Sequence, residues 1–390
     1  MSESGAAAAG LTGNSRSAHT ILTALALRGT DAPRDRRTDL TNGEGTPTMK
    51  RSVIAGFVLL ALVATGTAVW AGGAAEKPIV WVWLPNDSPP ESAQFRAAMD
   101  KIVSDATGRP VQDKLTTDYN IAIQAMVSDN AAVALFGPYQ YVKCSALSKA
   151  IVPLVTNTGD SGTLSDAVYY SRIVVKTENA SQYMKNGQYS LDAIAGKIFS
   201  FVSNSSTSGF LFPSSGVAAY FNKMSQWSTL KQSDLMEGGA GKLFSQVVFG
   251  GSHQGSLANV ISGKADAGAC DDVDTDTYDT LVSGTASLPG AVYKIKDGAA
   301  EPFNDFQGAQ FTVIWSVPVI NGPIAVNSNL LSKDEIAKIT AAFMSDATMK
   351  NTAIFAQPAS SSKADFTQTG NVRFVKVDDS TYQPVRAMIQ

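Results

Sequence analysis

Between residues 79 and 155, short apolar runs alternate with helical patterns, and this alternation narrows the fold more than any other feature. Residues 79–83 (Ile-Val-Trp-Val-Trp) read as a strand, and 92–105 as an amphipathic helix closed by Thr107-Gly108. A strand is expected at 111–115. A helix follows at 119–128, with Ile121, Ala122, Ala125 and Met126 on one face. Residues 132–136 read as a strand, Gly137-Pro138 opens a helix reaching Leu147, and 151–155 read as a fourth strand. A β-α-β-α-β-α-β run of this kind builds a mostly parallel sheet covered by helices.

A second run begins at 169–175. Strands are expected at 198–202, 246–249 and 265–269, and helices at 209–224, 257–262 and 275–281. Residues 276–306, with Gly, Ser and Pro, read as a loop-rich insertion. Strand 311–315 leads into the Pro-punctuated stretch 317–326, which suits a crossing back to the first run. Residues 333–344 predict a helix with Asp334 and Glu335 in its first turn, where the helix dipole favours acids. The pattern gives two lobes, 78–165 with 318–375 and 169–315, joined by a two-strand hinge.

Residues 49–71 have the layout of a secretory signal peptide: Met49-Lys50-Arg51, an apolar run from Val53 to Val63, and the small-x-small site Val69-Trp70-Ala71. Residues 1–48 carry no hydrophobic period and read as a non-structural leader, with Met49 the expected initiator. The expected product is soluble, exported and monomeric. It spans about 320 residues, long enough for two cores. The formal charge is −3, with no basic stripe, which argues against nucleic acid or an anionic membrane as partner. Cys144 and Cys270 fall in different lobes, so both are expected as free thiols, since a bond between them would staple the lobes. Neither Cys-x-x-Cys nor a His/Cys cluster occurs, which disfavours a structural zinc.

Ser205-Ser206-Thr207-Ser208-Gly209 lies between a predicted strand and a predicted helix. The first N–H groups of a helix lack intrahelical partners, so hydroxyls placed there make an anion site without any Lys or Arg. An ordinary Ser/Thr N-cap accounts for the same residues. His253 is the one histidine after the signal segment, in the Gly-Gly-Ser-His-Gln-Gly junction between a strand and a helix. Open α/β sheets bind ligands at such strand ends.

Several stretches from about Lys77 to Ser362 together resemble the phosphate, phosphite and phosphonate periplasmic binding proteins of ABC importers. They are Asp118-Tyr119 with Ile123-Gln124-Ala125-Met126, Phe136-Gly137-Pro138, and Ser206-Thr207-Ser208-Gly209-Phe210-Leu211-Phe212-Pro213. Gly251-Ser252-His253, Gly263-Lys264-Ala265-Asp266-Ala267-Gly268-Ala269, and Val313-Ile314-Trp315 with Pro318 and Pro323-Ile324 complete the set. The resemblance implies a two-lobed, type II-like protein that closes on a small oxyanion and delivers it to a membrane permease. It implies that Ser206, Thr207 and Ser208 hold the anion, with Tyr119, Tyr169 and His253 completing the shell. Tyr170 is the alternative to Tyr169 in this shell, because one register step separates them and flips the face. No cofactor, metal or catalytic residue is expected.

The chain departs from the aminoalkylphosphonate binders of that family. One of their two ammonium-holding carboxylates lies in Gly-Asp-Pro, where this chain has Asn321-Gly322-Pro323; the other aligns with Val273. A buried ammonium without partners does not recover its desolvation cost. Phosphite, phosphate, methylphosphonate or an uncharged-tail phosphonate therefore fit better. Asp271 and Asp272 either cap the helix near Asp274 or accept a hydrogen bond from a protonated oxyanion. Two other function classes stand beside the binding protein. A secreted hydrolase has a Ser and a His but no Gly-x-Ser-x-Gly elbow. An aromatic-ligand module would stack its ligand on Trp81, Trp83, Tyr119 and Tyr169. Trp81 and Trp83 share one face of their strand, as core packing or as a cleft wall.

Overall fold

The computed structural model describes residues 77–357 and 366–389. The expected leader and signal peptide lie outside these residues. No helix among the described residues is long and apolar enough to cross a membrane.

The first lobe is built on a six-stranded sheet. Strands β1 (Ile79–Trp83), β2 (Val111–Leu115), β3 (Val133–Leu135) and β4 (Ile151–Asn157) alternate with helices α1 (Ala93–Thr107), α2 (Tyr119–Val127) and α3 (Pro138–Leu147). β1 pairs in parallel with β2 and β3. Strand Ile324–Asn327 inserts antiparallel between β3 and β4, and Phe374–Lys376 pairs antiparallel with β4. β1 to β4 therefore all run one way, as expected, and the two late strands run against them. The late segments return to this lobe from the far end, so their direction is opposite.

Alternation along β1 sends Val82 to the α2/α3 side and Ile79, Trp81 and Trp83 to the side of α1 and helix Lys333–Phe343. The two indoles are fully buried and stacked, with centroids 4.6 Å apart. Burying aromatic surfaces of this size contributes heavily to the core. In α2 the buried face is Tyr119, Ala122, Ile123, Ala125 and Met126, while Ile121 is exposed. The chain beyond Lys376 packs on α3, bringing Tyr382 within 5.0 Å of Tyr141, centroid to centroid.

The second lobe holds a seven-stranded sheet. Its order is Asp279–Ser283, Val292–Ile295, Gln310–Ile320, β5 (Val168–Lys176), Ala267–Asp271, Ile198–Phe201 and Gln246–Phe249. Only the last three pair in parallel with their neighbours; the other neighbouring pairs are antiparallel. The helix expected at 275–281 is instead a short helix, Val273–Asp276, followed by strand Asp279–Ser283. Pairing with Val292–Ile295 overrides the local helical pattern, as tertiary context often does for strand propensity. β5 and Gln310–Ile320 stay paired out to Val168 and Ile320, and Asn321 then donates its N–H to Ala167 O (2.8 Å). The chain crosses between the sheets beside this pair. Cys144 and Cys270 are buried thiols in separate cores.

Candidate functional site

The segment expected as one helix at 209–224 has two parts. A widened π-type turn spans Thr207–Leu211, and α4 (Phe212–Phe221) follows. Pro213 lacks an N–H and suits only the first turn of a helix, so α4 starts beside it. Ser206 caps the widened turn, its Oγ accepting from Gly209 N–H (3.0 Å). Gly209 has no room for a side chain, because a Cβ there would lie 2.2 Å from Val202. The hydroxyl segment is thereby pressed against the end of its strand, with Ser206, Thr207 and Ser208 buried.

The helix carrying His253 begins earlier than its apolar pattern indicates. α5 is His253–Ile261, capped by Ser252, whose Oγ accepts from Gly255 N–H (3.0 Å). His253 is its first residue. The backbone N–H of Asp271 donates to His253 Nδ1 (2.8 Å). An acceptor Nδ1 puts the ring proton on Nε2. Burial, reinforced by the buried Arg172 guanidinium, pushes His253 down to about 3. His253 is thus a neutral Nε2–H donor at physiological pH. Nε2 lies 3.4 Å from both Ser206 Oγ and Ser208 Oγ, and 3.2 Å from Asp271 Oδ2.

A cleft of about 110 Å³ lies between the lobes. It brings together Tyr119, Tyr169, Ser206, Thr207, Ser208, His253 and Asp271 of the sequence-predicted residues. No Lys or Arg lines it. Tyr119 donates its hydroxyl to Asn86 Oδ1 (2.8 Å), which also accepts His253 N–H (3.2 Å). Tyr169, not Tyr170, reaches the cleft; burial and the charge of Asp271 make its phenol a much weaker acid than usual, and the nearby Ser208 and Thr207 hydroxyls offset part of that shift. Thr207 Oγ1 is engaged across the cleft. It accepts Tyr139 N–H (3.0 Å) and donates to Gln140 Oε1 (3.1 Å), both at the start of α3. Lys143 Nζ donates to Ser205 Oγ (2.7 Å), and Ser205 Oγ donates to Asn120 Oδ1 (2.6 Å), adding further links between the lobes.

The acidic pair separates. Asp271 Oδ2 accepts from Ser208 Oγ (3.4 Å), and its Oδ1 accepts Asp274 N–H (3.1 Å), so Asp271 both caps the short helix and faces the cleft. Asp272 lies outside the cleft lining, where it accepts from Tyr170 N–H (2.8 Å) and Ser287 Oγ (2.8 Å). Its side chain is committed to holding β5 and the 287 turn. Trp81 and Trp83 are equally remote, buried behind the first sheet, so the aromatic-ligand reading loses its two largest rings.

Sequence reasoning missed Asn86 and Asp87, which follow β1, and Gln140, Asn157, Asp274 and Asn321. The position of Asn86-Asp87 just past the end of a parallel strand was the available signal. Burial pushes the carboxyls of Asp87 and Asp271 well above the ordinary range, with Asp271 adding to the rise at Asp87 and Asp272 to the rise at Asp271. His253, Asp271 and Asp274 lie close enough to surround a cation. The tautomer argues against that use. Nδ1 holds a backbone proton donor and Nε2 carries the ring proton, so neither nitrogen has a free lone pair.

Two α/β lobes with a polar cleft between them and paired strands at the crossing define the architecture of a solute-binding protein. A binding component of an ABC phosphonate transporter from Pseudomonas aeruginosa has this fold, with a TM-score of 0.55 and 19% identity over 80% of this chain and 86% of that one. So does PhnD1 from Prochlorococcus marinus, solved with methylphosphonate, with a TM-score of 0.55 and 16% identity over 80% of this chain and 97% of that one. The phosphate-import protein PhnD of Mycolicibacterium smegmatis is 24% identical over 265 residues, covering 67% of this chain and 70% of that protein. The chain belongs to the family of ABC-transporter phosphonate periplasmic substrate-binding proteins, whose family model matches residues 81–382.

Proposed function

We propose that the cleft captures a tetrahedral phosphorus oxyanion, a phosphate, phosphite or phosphonate, and delivers it to the membrane permease of an ABC importer. One observation carries this reading. The hydroxyls of Ser206, Ser208 and Tyr169 and the Nε2–H of His253 line one cleft of about 110 Å³, room for a small anion, with no Lys or Arg in its lining. Hydrogen bonds to a charged acceptor are worth about 1.5–3 kcal/mol each, so a few neutral donors hold a small anion. Tyr119 supports the shell through Asn86. The phosphate and methylphosphonate named for the relatives agree with the class of ligand.

The protein does no chemistry on this ligand. A hydrolase would need His253 to take a proton from Ser206 or Ser208, and the Nε2 facing them already carries one. The moving bodies are the two sheets with their helices, residues 77–167 with 321–357 and 366–389 on one side and 168–320 on the other, hinging where the paired strands end. The mature chain is exported through the segment 49–71 and acts as a monomer. Calorimetry of the chain from Gly72 onward with phosphate, phosphite and methylphosphonate tests the reading. Saturable one-to-one binding of at least one of them is expected, with a smaller radius of gyration in the bound form. No binding of any of the three overturns it.

A further inference from the structure

We infer that Asp271 selects for a protonated oxyanion: the bound complex holds one proton shared between Asp271 Oδ2 and a ligand oxygen. The inference rests on the oxyanion reading of the cleft. Asp271 Oδ2 sits among the donors assigned to the anion, 3.2 Å from His253 Nε2 and 3.4 Å from Ser208 Oγ. An anion drawn to those donors therefore brings a charged oxygen against a buried carboxylate. Two like charges in one desolvated site cannot both stay ionised. One proton between them turns the repulsion into a hydrogen bond from one oxygen to the other.

The proton has two sources with one outcome. A monoprotonated ligand brings it, donating P–OH to the carboxylate. Alternatively a neutral Asp271 donates it to a fully ionised ligand. The ligand class is thus a phosphorus oxyanion able to carry a proton near neutral pH. Sulfate, of the same shape, carries none there and binds only when Asp271 itself is protonated.

The groups around Asp271 come from several elements. Arg172 of β5 donates to its carbonyl, and His253 of α5 donates to its carboxylate. Asp272 is the next residue, and Asp274 donates its N–H to Oδ1. Asp87 of the first lobe and the phenols of Tyr119 and Tyr169 sense its charge. Burial raises the proton affinity of Asp271 most, Asp272 adds to it, and Arg172, which holds the backbone carbonyl, opposes both only in part.

The test is calorimetry of the mature chain with inorganic phosphate and with sulfate between about pH 5.5 and 8.5. Sulfate does not titrate in this range, so any slope belongs to the protein. In the wild type, sulfate affinity is expected to fall towards tenfold per pH unit at the alkaline end, one proton's worth. Phosphate affinity falls less over about pH 6–7.5, so the phosphate-to-sulfate ratio widens with pH. In Asp271→Asn the sulfate slope should vanish and the ratio at about pH 8 should shrink by at least tenfold. Asp272→Asn, outside the cleft, should keep the slope. The inference is overturned by wild-type sulfate binding that is flat with pH, or absent at about pH 5.5 while phosphate binds. An unchanged ratio in a folded Asp271→Asn protein also overturns it. The wild-type sulfate profile decides the matter even if that variant does not fold. Failure of phosphate, phosphite and methylphosphonate all to bind the wild type would instead overturn the oxyanion reading itself.

Discussion

Replacing Thr207 with Val keeps the side-chain shape and removes one hydroxyl, and the structure places the cost between the lobes. Thr207 Oγ1 accepts Tyr139 N–H at 3.0 Å and donates to Gln140 Oε1 at 3.1 Å. Thr207 and Gln140 are each 2% exposed. The Tyr139 N–H belongs to the first turn of α3 and has no intrahelical acceptor. With Val in place, that donor and the Gln140 carbonyl face a methyl group. Leaving a buried donor unpaired costs about 1–3 kcal/mol. When the lobes part, water satisfies both groups, so the cost falls on the closed form alone. A ligand that binds only the closed form loses the same free energy, a rise in Kd of about 5- to 150-fold. Calorimetry with the tightest of the three phosphorus oxyanions measures this, and scattering of the saturated variant checks that it still compacts. A cycle with Gln140→Leu separates an inter-lobe latch from a direct anion contact. A latch gives overlapping costs, with a coupling of about 1 kcal/mol, whereas a contact to the anion alone gives additive ones. Wild-type affinity in Thr207→Val, or strict additivity with Gln140→Leu, would refute the reasoning.

Two further outcomes follow from packing and charge. Gly322 sits where a Cβ would lie 1.8 Å from Phe136 O and 2.7 Å from Gly137 Cα, both backbone atoms that cannot step aside. Gly322→Ala should lower stability in urea by about 1–3 kcal/mol or more, and an unchanged midpoint would show that the crossing is looser than described. Asp100 is pushed up to about 8 by burial and by the neighbouring Asp113. A carboxyl raised on folding supports the fold at low pH and loses that support as pH rises through its folded value. Asp100→Asn should therefore match or trail the wild type at about pH 5 and exceed it by roughly 1 kcal/mol at about pH 9, partial solvation holding the figure down. A stability difference that does not grow with pH would count against it.

The order of strands and helices was readable because burial imposes its period directly. The 333–344 helix, for instance, was marked by Asp334 and Glu335 in its first turn, and the structure adds a Ser332/Glu335 capping box at its start. The direction of the late strands was not readable. Nothing in Ile324–Asn327 states that it must enter the first sheet antiparallel between β3 and β4; that follows from where the chain re-enters the lobe. In the candidate site, hydroxyls at a strand end and a histidine at a helix start were legible as local motifs. Asn86, Asp87 and Gln140 were not, because each matters through a partner far along the chain: Asn86 is 167 residues from the His253 N–H it accepts. Asp271 and Asp272 look equivalent in sequence. The alternation of side chains along Ala267–Asp271 and the end of that strand send one into the cleft and the other to Tyr170 N–H.

A binding protein must also let go, and the proposed site is suited to this by having no cation in its lining. A Lys or Arg in the cleft would attract an anion whether the lobes were together or apart, screened only by water and salt. Neutral donors act differently. Each hydrogen bond to the ligand is exchanged for one to water when the cleft opens, so its net worth depends on the site being closed and dry. Here the donors are held by bonds that cross the cleft: His253 by its N–H to Asn86, and the segment carrying Ser206 and Ser208 by the Thr207 Oγ1 bonds to Tyr139 and Gln140. Parting the lobes breaks those bonds and wets Ser206, Ser208 and Nε2 together. Affinity then follows closure steeply, and a permease that pulls the lobes apart releases the anion without having to compete for it with a fixed charge.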